Sequence, residues 1–146
     1  MSTESNAAAA RRIIVEGFNQ GRVEVFDEVC APEMVTHDPA EPEDVRGIEA
    51  HKARTLGYRT AMPDLSVTLD DVFAAGDRVA TRWTARGTND GEMAGMPPTG
   101  RSVVITGLSI DRFDADGRLV ETRDQWDNAG FMTQLGISPE AMAEAG

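Results

Sequence analysis

Two aspartates three residues apart, Asp124 and Asp127, close the stretch SVVITGLSIDRFDADGRLVETRDQWDNAGFMTQLG and are the first candidates for acid–base chemistry. Side chains alternate between the faces of a strand. Val120, Thr122, Asp124 and Trp126 therefore share one face, and Leu119, Glu121, Arg123, Gln125 and Asp127 the other. The first set is the more apolar and is expected to face inward, leaving one carboxylate on a largely apolar surface. Desolvation there raises a carboxyl pKa. Such a group is suited both to take and to give a proton. The structural alternative for Asp124 is a pair with Arg123, Arg82 or a backbone amide. Asp127 directly precedes NAGFMTQL and reads as the N-cap of a short helix.

Further polar candidates lie on a helix. Ile48, His51, Thr55, Tyr58 and Met62 fall at offsets of 0, 3, 7, 10 and 14, which is one helical face. His51 and Tyr58 then look inward, as donors to an enolate or a substrate or as core residues with satisfied polar tips. Glu49, Lys52 and Arg59 look at water. His37-Asp38, with Glu41, Glu43 and Asp44, has the residue types of a metal site. The chain has only two histidines and those acids sit in a proline-rich loop, so no metal is expected. His37 reads as a pocket-rim residue or a loop anchor. Cys30 is the only cysteine, which excludes an internal disulfide, and reads as a small buried thiol. Trp83 reads as core or pocket wall. No nucleophilic triad, dinucleotide fingerprint or phosphate-loop lysine is present, and no cofactor is expected.

Helices must come first to position these groups, then strands. A helix capped by Ser5 or Asn6 is expected to run to Asn19, with Ala10, Ile14, Gly17 and Phe18 on one face and residues 1–6 frayed. Gly21 interrupts it. A short helix follows with Val25, Phe26 and Val29 inward, ended by Pro32. Met34–Asp38 is extended, PAEPEDVRG is a loop, and Asp44 or Gly47 opens the long helix that Pro63-Asp64 terminates. Leu65–Phe73 alternates as a strand with a bulge near Asp71. Arg78–Arg86 is the next strand, with Val79, Thr81, Trp83 and Ala85 on one face and Arg78, Arg82 and Arg86 on the other. Gly87–Arg101 reads as a pocket-covering loop, and residues 137–146 as a loose tail.

Asp116-Gly117 marks a hairpin. A four-residue turn, Asp114–Gly117, would pair Phe113 with Arg118, Asp111 with Val120, Ser109 with Thr122, Gly107 with Asp124 and Ile105 with Trp126. The acid would then have small neighbours and room for a ligand. A turn one residue longer or shorter would flip the faces. The sum is a single α+β domain in which a curved antiparallel sheet packs against helices.

At 146 residues the chain is long enough for one domain with a core. A net charge of −11 and a pI near 4.5 argue against nucleic acid, anionic membrane surfaces and strongly anionic substrates. No apolar run is long enough for a signal peptide or a membrane span, so a cytoplasmic location is expected.

The segments GIEAHKARTLGYRTAMPDLSVTLDDVF, GDRVATRWTARGTNDGEMAGMPPTGRSVV and DGRLVETRDQWDNAGFMTQLG resemble the SnoaL-like polyketide cyclases of the nuclear transport factor 2-like superfamily, over roughly Ile13 to Gly136. The MPPTG loop, the DGRLVE turn and strand, and the terminal QLG are the most specific parts. The resemblance implies a cone-shaped α+β barrel, a strongly bent antiparallel sheet wrapped around a long helix with an open pocket. It also implies ring closure by intramolecular aldol condensation without metal or nucleotide, an aspartate late in the chain serving as acid/base. Asp124 best matches that aspartate and Asp127 competes with it. His51 falls where the family places a polar pocket residue. Where many relatives read E-H-W-D, this chain reads Glu121-Thr122-Arg123-Asp124, without the histidine and tryptophan beside the acid.

The expected function is cofactor-independent aldol or proton-transfer chemistry on an apolar, carbonyl-containing small molecule. Asp124 and His51 would be catalytic, with His37, Tyr58, Trp83, Ser109, Asp111, Thr122 and Trp126 around the substrate. Alternatives on the same fold are an isomerase, an epoxide hydrolase, or a non-catalytic binding or subunit module. Epoxide hydrolysis wants two acids and an arginine around a water. Asp111, Asp124 and Arg82 supply those types, although Arg82 points to the other face. Outward Val104, Leu108 and Ile110 beside the arginine stripe suggest a homodimer.

Overall fold

Ser2, not Ser5 or Asn6, starts the first helix: its hydroxyl accepts from the Ser5 amide at 3.0 Å and α1 (Thr3–Arg12) follows. Asn6 is buried, not frayed. This computed structural model describes residues 2–137, and the expected tail beyond them lies outside the described residues. Beyond Arg12 the helix widens into a π-helical segment, Ile13–Phe18. Asn19 follows it and clamps the sheet edge, donating to the Val67 carbonyl at 2.9 Å and accepting from the Val67 amide at 2.7 Å. Arg59, expected in water, instead donates to the Phe18 and Asn19 carbonyls. A helix C-terminus is a favourable place for a cation.

The remaining elements are α2 (Val25–Val29), β1 (Cys30–His37), β2 (Val45–Arg46), α3 (Ile48–Ala61), β3 (Ser66–Ala75), β4 (Arg78–Thr88), β5 (Ser102–Phe113), β6 (Leu119–Trp126) and α4 (Asn128–Leu135). Gly47 opens α3 at a φ of 87°, a conformation glycine adopts without steric cost. The counted stripe does face inward: His51, Thr55 and Met62 are buried, Ile48 and Tyr58 half-buried.

The six strands form one curved, unclosed sheet in the order β2-β1-β6-β5-β4-β3. Four of its pairings are antiparallel, and β1 runs parallel to β6. The sequence marks only a short extended piece at Met34–Asp38. Pairing extends it back to Cys30 and sets Thr36 beside Thr122 and His37 beside Arg123. The β3 bulge falls at Asp70, between the Leu69–Trp83 and Asp71–Arg82 pairs.

The β5–β6 hairpin departs from the expected register. Its turn holds five residues, because Phe113 pairs with Leu119. That alone would turn Asp124 outward. Val120, however, is extruded between the Phe113–Leu119 and Arg112–Glu121 pairs, and this second extra residue restores the parity. Asp124 keeps its inward face but stands opposite Ser109, not Gly107; Thr122 faces Asp111 and Trp126 faces Gly107. Leu119 takes the buried place expected of Val120. The space at Gly107 belongs to Trp83, whose indole a Cβ there would strike.

Asp127 is the N-cap of α4, accepting from the Gly130 amide at 2.8 Å, and Gly136 closes the helix in the left-handed region. The long loop is fastened by buried Asn89, which donates to the Ala61 and Gly91 carbonyls and accepts from Thr99. It lies against the end of α3 and does not line the main cavity, contrary to the expected cover. On the outer sheet face Phe73, Val104, Leu108 and Ile110 are exposed. Among the described residues, no helix is long and apolar enough to cross a membrane.

Candidate active site

Members of both apolar clusters of the fold enclose a cavity of about 160 Å³ between the helices and the inner face of β4–β6. Its walls include Ile13, Phe26, Met34, Leu65, Ile105 and Phe131, so each polar group that enters it stands out against hydrocarbon.

Asp124 is the centre of these groups. Its Oδ1 accepts from the Ser109 hydroxyl at 2.6 Å, and the Ser109 oxygen in turn accepts from Trp83 Nε1 at 3.0 Å. Its Oδ2 accepts from Arg54 Nη2 at 3.3 Å. The same Nη2 donates to Asp38 Oδ2 at 2.6 Å. Asp38 also accepts from the Ala40 amide at 2.8 Å and from Trp126 Nε1 at 3.1 Å. One buried guanidinium thus serves two buried carboxylates. Its carbon lies 5.5 Å from the centre of the Tyr58 ring, within cation–π range.

Burial pushes the Asp124 carboxyl upward, Arg54 and the Ser109 hydrogen bond pull it down, and Asp38 adds a push upward. The net direction is up. Burial likewise raises the Tyr58 phenol, which remains a proton donor at neutral pH. Nearer the hairpin turn, Asp111 lines the same cavity and accepts from Thr122 Oγ1 at 2.8 Å. Burial pushes it up to about 7, against the Thr122 hydrogen bond and with help from Asp124.

The structure therefore gathers Tyr58, Trp83, Ser109, Asp111, Thr122, Asp124 and Trp126 around one space. His51 also touches it, but both ring nitrogens are engaged: Nδ1 with the Gly47 carbonyl at 2.6 Å and Nε2 with Thr36 Oγ1 at 2.8 Å. Nδ1 must carry the proton to donate to a carbonyl, so Thr36 donates to Nε2. Burial lowers its pKa and keeps the ring neutral. The expected rim position of His37 is corrected: its ring is absent from the cavity and bridges Glu121 at 2.8 Å and Asp44 at 2.9 Å. Arg82 is on the outer face with Asp71 at 2.6 Å and cannot join the acids within.

Asp38 and Arg54 are the residues the sequence reading misses. Arg54 lies three residues after His51 and four before Tyr58, a spacing that puts all three on one helical face. Asp38 depends on the parallel β1–β6 pairing, for which no local signal exists. Arg54 and Tyr58 also line an outer groove with Glu41, Glu43, Asp44 and Glu92, so the groove meets the cavity at these two side chains. Among the described residues no three His, Cys, Asp or Glu side chains are grouped to hold a metal ion.

Known proteins share this architecture. The aklanonic acid methyl ester cyclase AcmA of Streptomyces galilaeus is 29% identical over 134 residues, 90% of this chain and 92% of that protein. TsrD from Streptomyces laurentii superposes with a TM-score of 0.82 at 28% identity, over 94% of this chain and 99% of that one. Wild-type IdmH from Streptomyces antibioticus gives 0.76 at 34% identity, over 90% and 99%. The family profile for SnoaL-like polyketide cyclases matches residues 8–135, nearly the whole domain that carries the cavity, and the chain belongs to that family.

Proposed function

We propose that this protein is a cofactor-independent enzyme that moves a proton at the carbon beside a carbonyl of an apolar small molecule, with Asp124 as the acid/base. The observation that carries this reading is a carboxyl in an apolar cavity whose pKa burial raises while Arg54 and Ser109 oppose it. Such a group is suited both to accept and to return a proton. In an aldol closure Asp124 takes the alpha proton, the enolate carbon bonds to a second carbonyl carbon of the same molecule, and the proton returns to the new alkoxide. No electrons are gained or lost. Arg54 and Tyr58 supply donors for the enolate oxygen. Ser109 and Trp83 fix the carboxyl, and His51, with both nitrogens occupied, braces the wall. The cyclase named among the relatives supports this class of chemistry.

The test is deuterium exchange alpha to the carbonyl across a panel of ketones, followed by NMR. Asp124→Asn keeps the fold and ligand binding but slows exchange by about 10²- to 10⁴-fold. Unchanged exchange would remove Asp124 from the mechanism, and no exchange in the native protein would favour a binding module.

One observation favours a second reading. Asp38, Arg54 and Asp124 are two acids and an arginine in contact, the set that epoxide hydrolysis needs around a water. Hydrolysis of an epoxide panel, with ¹⁸O from water appearing in the diol, would select it. The exposed Phe73, Val104, Leu108 and Ile110 support a homodimer through the outer sheet face. A monomer by light scattering at micromolar concentration would refute that.

A further inference from the structure

Asp111 has a partner for one oxygen only. Thr122 donates to Oδ1, and among the described residues nothing bonds to Oδ2. The side chain lines the cavity, is 8% exposed, and stands beside Val79 in the β4–β5 ladder. Among the described residues no lysine, arginine or histidine forms an ion pair with it, since Arg54 is committed to Asp38 and Asp124. An unpaired carboxylate in such a place is costly, and the neutral acid is the form the site favours. A neutral carboxyl has one O–H donor. Thr122 already donates to Oδ1, so the proton belongs on Oδ2 and has no acceptor within the described protein.

We propose that Asp111 is a specificity residue: as a carboxylic acid it donates a hydrogen bond from Oδ2 to a second oxygen of the substrate, at the opposite end of the bound ring from the carbon that Asp124 deprotonates. This rests on the proposed ketone-binding function of the cavity. Asp124 stands opposite Ser109, two residues from Asp111 on the same face. That places the two side chains on the order of 7 Å apart, about the length of one substituted ring. A cavity near 160 Å³ holds a compound of that size; an apolar cavity of roughly 150 Å³ accommodates benzene. The ligand class is a one-ring ketone, or the one-ring end of a larger molecule, with an ether, ester or second carbonyl oxygen at its far side. Larger substrates would leave through the groove at Arg54 and Tyr58. A buried neutral carboxyl donating to a ligand oxygen has precedent in enzyme chemistry.

The groups facing Asp111 define its pH response. They are Asp124 on β6 and the Cys30 thiol at the start of β1, which burial pushes up to about 12 and so keeps neutral. The neighbour from β4 is Val79, and His51 of α3, farther along the wall, is held neutral. With Asp111 itself near 7, the donor is present in weak acid and lost in weak base.

Acetophenone and 4′-methoxyacetophenone are the probes, the second adding one acceptor oxygen across the ring. Binding is followed by NMR titration at about pH 5.5 and about pH 8.5, which bracket the titration. The native protein should prefer the methoxy ketone by roughly three- to tenfold at the lower pH and lose that preference at the higher one. Asp111→Asn retains an N–H donor and should keep the preference at both values, whereas Asp111→Leu should show none at either. Asp124→Asn separates the two acids: the preference survives, and its loss moves to lower pH once the neighbouring negative charge is gone. Equal binding of both ketones, or a preference that Asp111→Leu retains, overturns the role of Asp111 alone. Failure of both ketones to bind overturns it together with the proposed ketone-binding function.

Discussion

Arg54 and Arg82 keep company of the same kind and do opposite things with it. Each guanidinium faces two aspartates: Arg54 reaches Asp38 at 2.6 Å and Asp124 at 3.3 Å, with Glu41 besides at 3.8 Å, and Arg82 reaches Asp71 at 2.6 Å and Asp70 at 3.8 Å. The Arg54 side chain is 13% exposed and that of Arg82 52%. Outside, water screens the charges and the group contributes little to stability. Inside, screening is weak and each member depends on the others. Burial, more than residue type, separates a candidate site from a surface decoration.

Removing each arginine in turn breaks this contrast most directly. Arg54→Met leaves Asp38 and Asp124 facing each other without a cation and should lower unfolding stability by about 3–5 kcal/mol at neutral pH in urea titrations. A loss no larger than that of Arg82→Ala would mean that the inner network is as well solvated as the outer one. The second expectation concerns pH. Asp111 holds its proton up to about 7 in the fold but only to about 4 when unfolded. Between those values the folded state binds more protons, so stability should fall as pH rises through that window and then level off. The raised carboxyl of Asp124 acts in the same direction. The difference between the native protein and Asp111→Asn in urea midpoints from about pH 4 to 8 isolates this contribution; identical profiles would place Asp111 in contact with water. Asp127→Ala comes next, with about 1 kcal/mol lost from the cap and ketone exchange unchanged. An Asp127 variant that lost exchange while retaining α4 would reopen the choice between the two late acids. Arg82→Ala should be the smallest, under about 1 kcal/mol and without effect on exchange.

Periodicity located one side of this site and not the other. The alternation of β6 put Asp124 inside, and the residue type before NAGFMTQL identified Asp127 as a cap, because both depend on neighbours a few residues away. The stripe on α3 points His51 and Tyr58 at the cavity but is counted through apolar and hydrogen-bonding residues, which leaves out Arg54 on the same face. Nothing local could reveal Asp38. Its place follows from a parallel pairing between strands separated by 81 residues, from Asp38 to Arg118. The register error had a similar origin, since turn length and bulge are both set by the fit of the hairpin onto the sheet.

That hairpin also bears on how its segment tolerates insertion and deletion. The five-residue turn and the extruded Val120 are the two points where the hairpin carries unpaired residues, so a loss of length at either is absorbed there. Deleting Ala115 would shorten the turn to four residues with Phe113 still opposite Leu119, and Thr122, Asp124 and Trp126 would stay inside. Deleting Val120 would remove the bulge and likewise leave all three in the interior. What the chain must keep constant is the pairing on either side of these two slack points.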